Sequence, residues 1–301
     1  MDRRTLLKRA AATGPSVWLA GCGGGGESVA AGNSYKQSNL VANSAAYQPL
    51  ILEPRLIDAW GIAIRPAGAG GHFWVTGMGT SFEYAGDVNG TPLFADGLKT
   101  VGLPASGADG GAANGVLSAW TERKKPDGTF DRSPDALKRV DYGGHGSAFF
   151  GLAINPAESQ LFVVDFGANP GQLLPAVESA RRGRGRLVEY TVTGQQVAVW
   201  DDPGVLNGPW GVVMAPANFG PFSRQLLVGN FSDGSIVGFD TQTRRATEYL
   251  RGADGNVLKI QGLWNLLFGN GASLGDANAL YFAAGPAEET DGLFGSLRHV
   301  G

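Results

Sequence analysis

The chain has 301 residues, a formal net charge of −3, 48 glycines, 16 prolines and one cysteine. A mildly acidic balance excludes nucleic acid as the principal partner, because phosphate binding requires a basic face. A lone cysteine excludes an intramolecular disulfide, so the fold must rest on its apolar core.

Residues 1–21 read as a signal peptide. Arg3-Arg4-Thr5-Leu6-Leu7-Lys8 resembles a twin-arginine export signal, with Leu6 where a Phe is common and Asp2 where a Ser or Thr is usual. The weakly apolar stretch 10–20 is broken by Gly14 and Pro15, and is shorter than the ~20 apolar residues that span a bilayer. Leu19-Ala20-Gly21-Cys22 then resembles a bacterial lipobox. Arg3 and Arg4 are thus the expected export signal and Cys22 the expected lipid attachment point; the alternative is an ordinary thiol in an N-terminal tail. Residues 22–34, glycine-rich at 23–26, are the expected lipidated flexible tether. Gly23 carries no charge, as in an outer-membrane lipoprotein. The expected location is the cell envelope, at the periplasmic face of the outer membrane or the cell surface.

Residues 35–301 carry an internal repeat. Trp60-Gly61-Ile62-Ala63-Ile64, Phe150-Gly151-Leu152-Ala153-Ile154, Trp210-Gly211-Val212-Val213-Met214 and Leu263-Trp264-Asn265-Leu266-Leu267-Phe268 are variants of one phrase: aromatic, small residue, apolar run. Each is answered by a second apolar run, at Phe73-Trp74-Val75, Leu161-Phe162-Val163-Val164, Leu226-Leu227-Val228 and Leu280-Tyr281-Phe282. Third strands are expected at 116–120, 186–190, 235–239 and 293–297. Nearly continuous apolar first strands fit the inner positions of a β-propeller, and strands with polar interleaving fit the outer ones.

Asp58-Ala59-Trp60-Gly61-Ile62-Ala63, Pro209-Trp210-Gly211, Ala215-Pro216-Ala217-Asn218-Phe219-Gly220, Leu226-Leu227-Val228-Gly229-Asn230-Phe231 and Gly262-Leu263-Trp264 together resemble an uncharacterised family of exported bacterial β-propellers. Phe268-Gly269-Asn270-Gly271, Ala284-Gly285-Pro286 and Gly292-Leu293-Phe294-Gly295 extend the likeness, which is dense from Asn207 onward. It implies six blades related in architecture to the NHL and gluconolactonase-like propellers, and supports a fold more than a function. Two stretches depart from the pattern. Between Pro104 and Gly115 the chain is almost wholly Ala, Gly and Ser, and between Asp165 and Arg186 a Pro- and Arg-containing loop stands where one blade should end and the next begin. Both are expected to remove strands, leaving about five blades, within a range of four to six. The last repeat lacks a fourth strand, and residues 35–41 alternate well enough to supply it, so the ring is expected to close by pairing 35–41 with 293–299.

Chemistry is sparse. His72, His145 and His299 stand apart, and no Walker loop, EF-hand loop or Cys-x-x-Cys occurs. Gly107 to Gly115 opens no helix, so a phosphate cradle is not expected. The basic run Arg181-Arg182-Gly183-Arg184-Gly185-Arg186 reads as a solvated loop. Asp58 and Asn207 precede first strands, and Asp165, Asn230 and Glu288 follow second strands. Converging on the axis, they would offer oxygen ligands to Ca2+; alternatively they cap turns. Trp60, Trp210 and Trp264 would either ring the channel mouth for a flat ligand or seal the packing between blades. The leading expectation is a lipid-anchored envelope module, held to the membrane by its anchor, that binds a protein, polysaccharide or small ligand. The competing one is a metal-dependent hydrolase or lactonase with its site in the central channel.

Overall fold

The computed structural model describes residues 32–65, 67–68, 70–102, 123–124, 130–131, 149–154, 160–165, 185–191 and 195–301. Its strands in chain order are β1 (Tyr35–Ala42), β2 (Ile51–Leu52), β3 (Gly61–Ala63), β4 (Phe73–Gly77), β5 (Thr80–Ala85), β6 (Phe94–Gly102), β7 (Arg123–Lys124) and β8 (Phe130–Asp131). They continue as β9 (Phe149–Ile154), β10 (Gln160–Asp165), β11 (Arg186–Thr191), β12 (Gln196–Val199), β13 (Pro209–Met214), β14 (Leu226–Asn230), β15 (Ile236–Asp240), β16 (Arg245–Tyr249), β17 (Leu263–Phe268), β18 (Ala279–Ala284) and β19 (Leu293–His299).

Three antiparallel sheets take their strands in chain order: β3-β4-β5-β6, β9-β10-β11-β12 and β13-β14-β15-β16. A fourth sheet runs β17-β18-β19-β1, with β2 added in parallel outside β1. The first strand of each sheet lies innermost: β13 packs against β9 on one side and β17 on the other, and β17 packs against β3. Meandering sheets arranged radially with their first strands at the axis make a β-propeller. Four blades are complete among the described residues. The two-stranded ladder β7–β8 falls in the chain between β6 and β9. Among the described residues no helix is long and apolar enough to cross a membrane.

The ring closes as the alternation of residues 35–41 predicts. Tyr35 faces His299, Gln37 faces Leu297 and Ala42 faces Leu293 in an antiparallel ladder, with one irregularity between Asn39 and Val41. Tyr35 also ties this strand to the neighbouring blade. Its N–H donates to Arg251 O at 2.8 Å, its hydroxyl donates to Phe219 O at 2.7 Å, and its ring packs 4.8 Å from that of Phe219.

Three apolar clusters fill the spaces between neighbouring blades, which explains the continuous apolar runs. In β18, Leu280, Phe282 and Ala284 enter the cluster shared with the β13–β16 blade, whereas Ala279, Tyr281 and Ala283 enter the one shared with the β3–β6 blade. Both faces of this strand are buried, so strict apolar–polar alternation disappears. The β3–β6 blade differs. Phe73, Val75, Phe82 and Tyr84 enter the cluster, and the opposite face of β4 and β5 carries Trp74, Thr76, Ser81 and Glu83.

Two expectations need correction. The third strand of the first blade is β5 rather than 116–120, which lie outside the described residues. Met78-Gly79, with Gly79 at φ 65°, turns the chain straight back onto β4, and the polar Ser81 and Glu83 hide the strand from an apolar search. Secondly, β10 and β11 pair directly from Gln160↔Thr191 to Asp165↔Arg186. Residues 166–184 therefore connect two strands of one blade and remove none.

Candidate functional site

The repeated phrase corresponds to a repeated irregularity. Register shifts between Pro209 and Val212 where β13 meets β14, and between Leu263 and Leu266 where β17 meets β18. Trp210-Gly211 and Trp264-Asn265 sit at these two bulges, which re-aim side chains at a strand end. All the acidic and amide candidates share that end of the propeller, because each precedes a first strand or follows a second one.

Two tryptophans come together there. Trp264 is fully buried and meets Trp210 edge-on, with centroids 4.5 Å apart. Half-buried Phe231 stacks on Trp264 at 4.1 Å and 24°, and lies 6.4 Å from Trp210. Gly211 permits the approach, since a Cβ there would fall 2.8 Å from Trp264 O. Trp60 is half-buried, and its N–H donates to Thr76 O at 3.0 Å.

Trp264 Nε1 donates to Asp58 Oδ1 at 2.9 Å. Asp58 is buried and sits at φ 48°, a left-handed conformation that side chains rarely adopt. Its N–H donates to Asp291 O at 3.0 Å. Asp291 in turn accepts from Asn43 Nδ2 at 3.0 Å and from the Tyr47 hydroxyl at 2.7 Å. Burial and the adjacent Asp291 carboxylate push the Tyr47 hydroxyl up to about 12. Between these groups the chain makes a left-handed turn: Ala287, Glu288 and Glu289 have φ of 52°, 56° and 67°. Each left-handed residue costs roughly 1–2 kcal/mol, so three in a row mark a strained segment. Glu289 is buried and Glu288 exposed.

Asn207 and Asn230 meet each other rather than Asp58. Asn230 Oδ1 accepts from Asn207 N at 2.9 Å, and Asn230 Nδ2 donates to Val205 O at 2.9 Å and to Ser235 Oγ at 3.0 Å. Glu288 points to neither group's bonds from its exposed turn. Asp165 ends β10 next to Arg186 in register, and only its backbone is described. Among the described residues no three His, Cys, Asp or Glu side chains are grouped as cation ligands. His72 bonds to Asp96, His299 Nε2 pairs with Gly32 O at 2.7 Å, and Cys22, Arg3, Arg4 and His145 lie outside the described residues.

Two features escaped sequence reading. Phe231 completes the aromatic group, and its position directly after Asn230 at a second-strand end was the available signal. Glu83 is the other: burial pushes its carboxyl above the ordinary carboxylate range, with His72 opposing and Asp96 adding to the shift.

No protein-family model matches the chain. It is 35% identical over 137 residues to one uncharacterised protein of Acanthamoeba polyphaga mimivirus and 34% identical over 137 residues to another, in each case across 46% of this chain. The chain spans about a third of the length of these curated relatives, 35% and 32% respectively. Among solved structures it is similar to virginiamycin B lyase from Staphylococcus aureus, at 13% identity and TM-score 0.35, over 89% of this chain and 99% of that one. It is likewise similar to the soluble aldose sugar dehydrogenase of Escherichia coli, at 13% identity and TM-score 0.35, over 89% of this chain and 100% of that one. The periplasmic gluconolactonase of Pseudomonas aeruginosa is similar at 14% identity and TM-score 0.30, over 76% of this chain and 46% of that one.

Proposed function

We propose that the protein is an exported bacterial propeller, lipid-anchored at Cys22 in the cell envelope, that binds a ligand with a flat apolar face at the strand-start end of its ring. The observation that carries this reading is the grouping of Trp210, Phe231 and Trp264 beside the buried Asp58 carboxylate. Aromatic faces stack on the apolar face of a sugar ring, and a few fixed polar groups orient it. Half-buried Phe231 supplies the contact surface, and fully buried Trp264 holds it in place. An envelope polysaccharide is the ligand class that fits both the surface and the location.

The test is a tryptophan-fluorescence titration with soluble peptidoglycan and lipopolysaccharide oligosaccharides. A saturable change that Phe231→Ala abolishes is the expected result. No change with either glycan, or an undiminished one in Phe231→Ala, overturns the reading.

A further inference from the structure

Among the described residues of the β3–β6 blade, four buried side-chain oxygens have no hydrogen-bond partner: Thr76 Oγ1, Ser81 Oγ, and Glu83 Oε1 and Oε2. Glu83 and Thr76 are wholly buried and Ser81 is 2% exposed. The register places them together. Thr76 stands directly opposite Ser81, and Glu83 lies two residues further along the same strand. Residues two apart share a sheet face, and directly opposed side chains have Cβ atoms about 5 Å apart. One carboxylate and two hydroxyls therefore converge on the face turned away from the apolar cluster.

Buried polar groups are nearly always satisfied, and an unpaired buried carboxylate is among the costliest exceptions. His72 gives Glu83 no hydrogen bond: its Nε2 bonds to Asp96, and it acts on the Glu83 carboxyl only through its charge. The donor set is oxygen alone, which suits a hard cation and not zinc or copper. We propose that Thr76, Ser81 and Glu83 form a binding site for Ca2+, with Glu83 bidentate, both hydroxyl oxygens in the coordination sphere and water in the remaining positions. Thr76 adjoins Trp60, whose N–H donates to its carbonyl, but the cation site uses the Thr76 hydroxyl on the other side of the strand pair from the Phe231–Trp264 stack and does not depend on the glycan reading.

Trp74 stands directly opposite Glu83 in the β4–β5 register, so a lanthanide bound at Glu83 lies within reach of an indole that can sensitise it. Purified full-length protein titrated with Tb3+ and excited at the tryptophan band should show saturable emission that Ca2+ displaces. Glu83→Gln, its folding checked by circular dichroism, should lose that emission and also the rise in melting temperature that Ca2+ gives the wild type. Trp74→Phe keeps all three ligands, so it should lose the emission and retain the rise. Absent emission in the wild type, or emission that survives either substitution, overturns the assignment. Should Glu83→Gln not fold, the double variant Thr76→Val with Ser81→Ala replaces it, with the same loss expected and the same survival decisive against.

Discussion

Trp264 Nε1 reaches Asp58 Oδ1 at 2.9 Å across 206 positions of chain, fastening the last blade to the segment that leads into the first. Asp58 holds its left-handed φ of 48° to make this bond. Removing the acceptor takes this hydrogen bond from a buried indole, at a cost of about 1–3 kcal/mol. Asp58→Ala should therefore lower stability by that amount plus the strain of alanine at positive φ. Asp58→Gly loses the same bond without the strain, and should be more stable than Asp58→Ala by about 1 kcal/mol. Urea unfolding of both variants measures the difference.

Closure of the ring predicts a cost at the N-terminal strand. Deleting residues 33–42 removes the partner of β19 and uncovers an apolar face, and should destabilise the protein by several kcal/mol and promote aggregation. Tyr35→Phe is the gentler probe. It orphans the Phe219 carbonyl, and should cost about 1–3 kcal/mol without aggregation. A deletion variant that stays monomeric with an unchanged melting temperature would show that β1 is dispensable.

Tyr47 predicts an alkaline dependence. Its hydroxyl is raised from 10.0 to about 12 in the folded protein, by burial first and by Asp291 second. A raised value means the folded state holds the proton more tightly, so the contribution is complete below pH 10, the unfolded value, and disappears as pH rises through about 12. Tyr35, Tyr84 and Tyr281 are also raised by burial, so the informative quantity is a difference between proteins. The stability gap between wild type and Tyr47→Phe should be constant below pH 10 and narrow across the pH 10–12 window. A gap that does not change with pH would remove the Tyr47–Asp291 bond from the account.

Anchoring and export have separate readouts. Cys22→Ser should move the protein out of the membrane fraction, and replacing Arg3 and Arg4 by lysine should block export by the twin-arginine route. Undiminished membrane fractionation by Cys22→Ser would end the lipoprotein reading, and unchanged export by the double lysine variant would point to the general secretory route.

Blade composition was legible in the amino-acid sequence because antiparallel neighbours within a blade pair locally. Leu226 to Val228 follows Trp210 to Met214 after a connection that holds only a short 3-10 helix at Gly220–Phe222, so each strand's apolar pattern answers the next within a short window. Residues 35–41 were recognisable from period-two alternation and from the strand the last repeat lacked. β5 was not, because Ser81 and Glu83 break the apolar run, although Phe82 and Tyr84 between them reach the core. The pairing of β10 with β11 across residues 166–184 was also hidden, since loop length carries no information about which strands it joins.

Side-chain partners at the strand-start end were decided by the tertiary structure alone. Asp58, Asn207, Asn230 and Glu288 occupy related places in the repeat, yet Asn230 bonds to the chain beside Asn207, Asp58 bonds to Trp264, and Glu288 rests on an exposed left-handed turn. Repeat position specifies which end of the propeller a side chain occupies. Its partner depends on packing: Asn230 bonds within its own blade, 23 positions from Asn207, whereas the Asp58–Trp264 bond joins residues 206 positions apart.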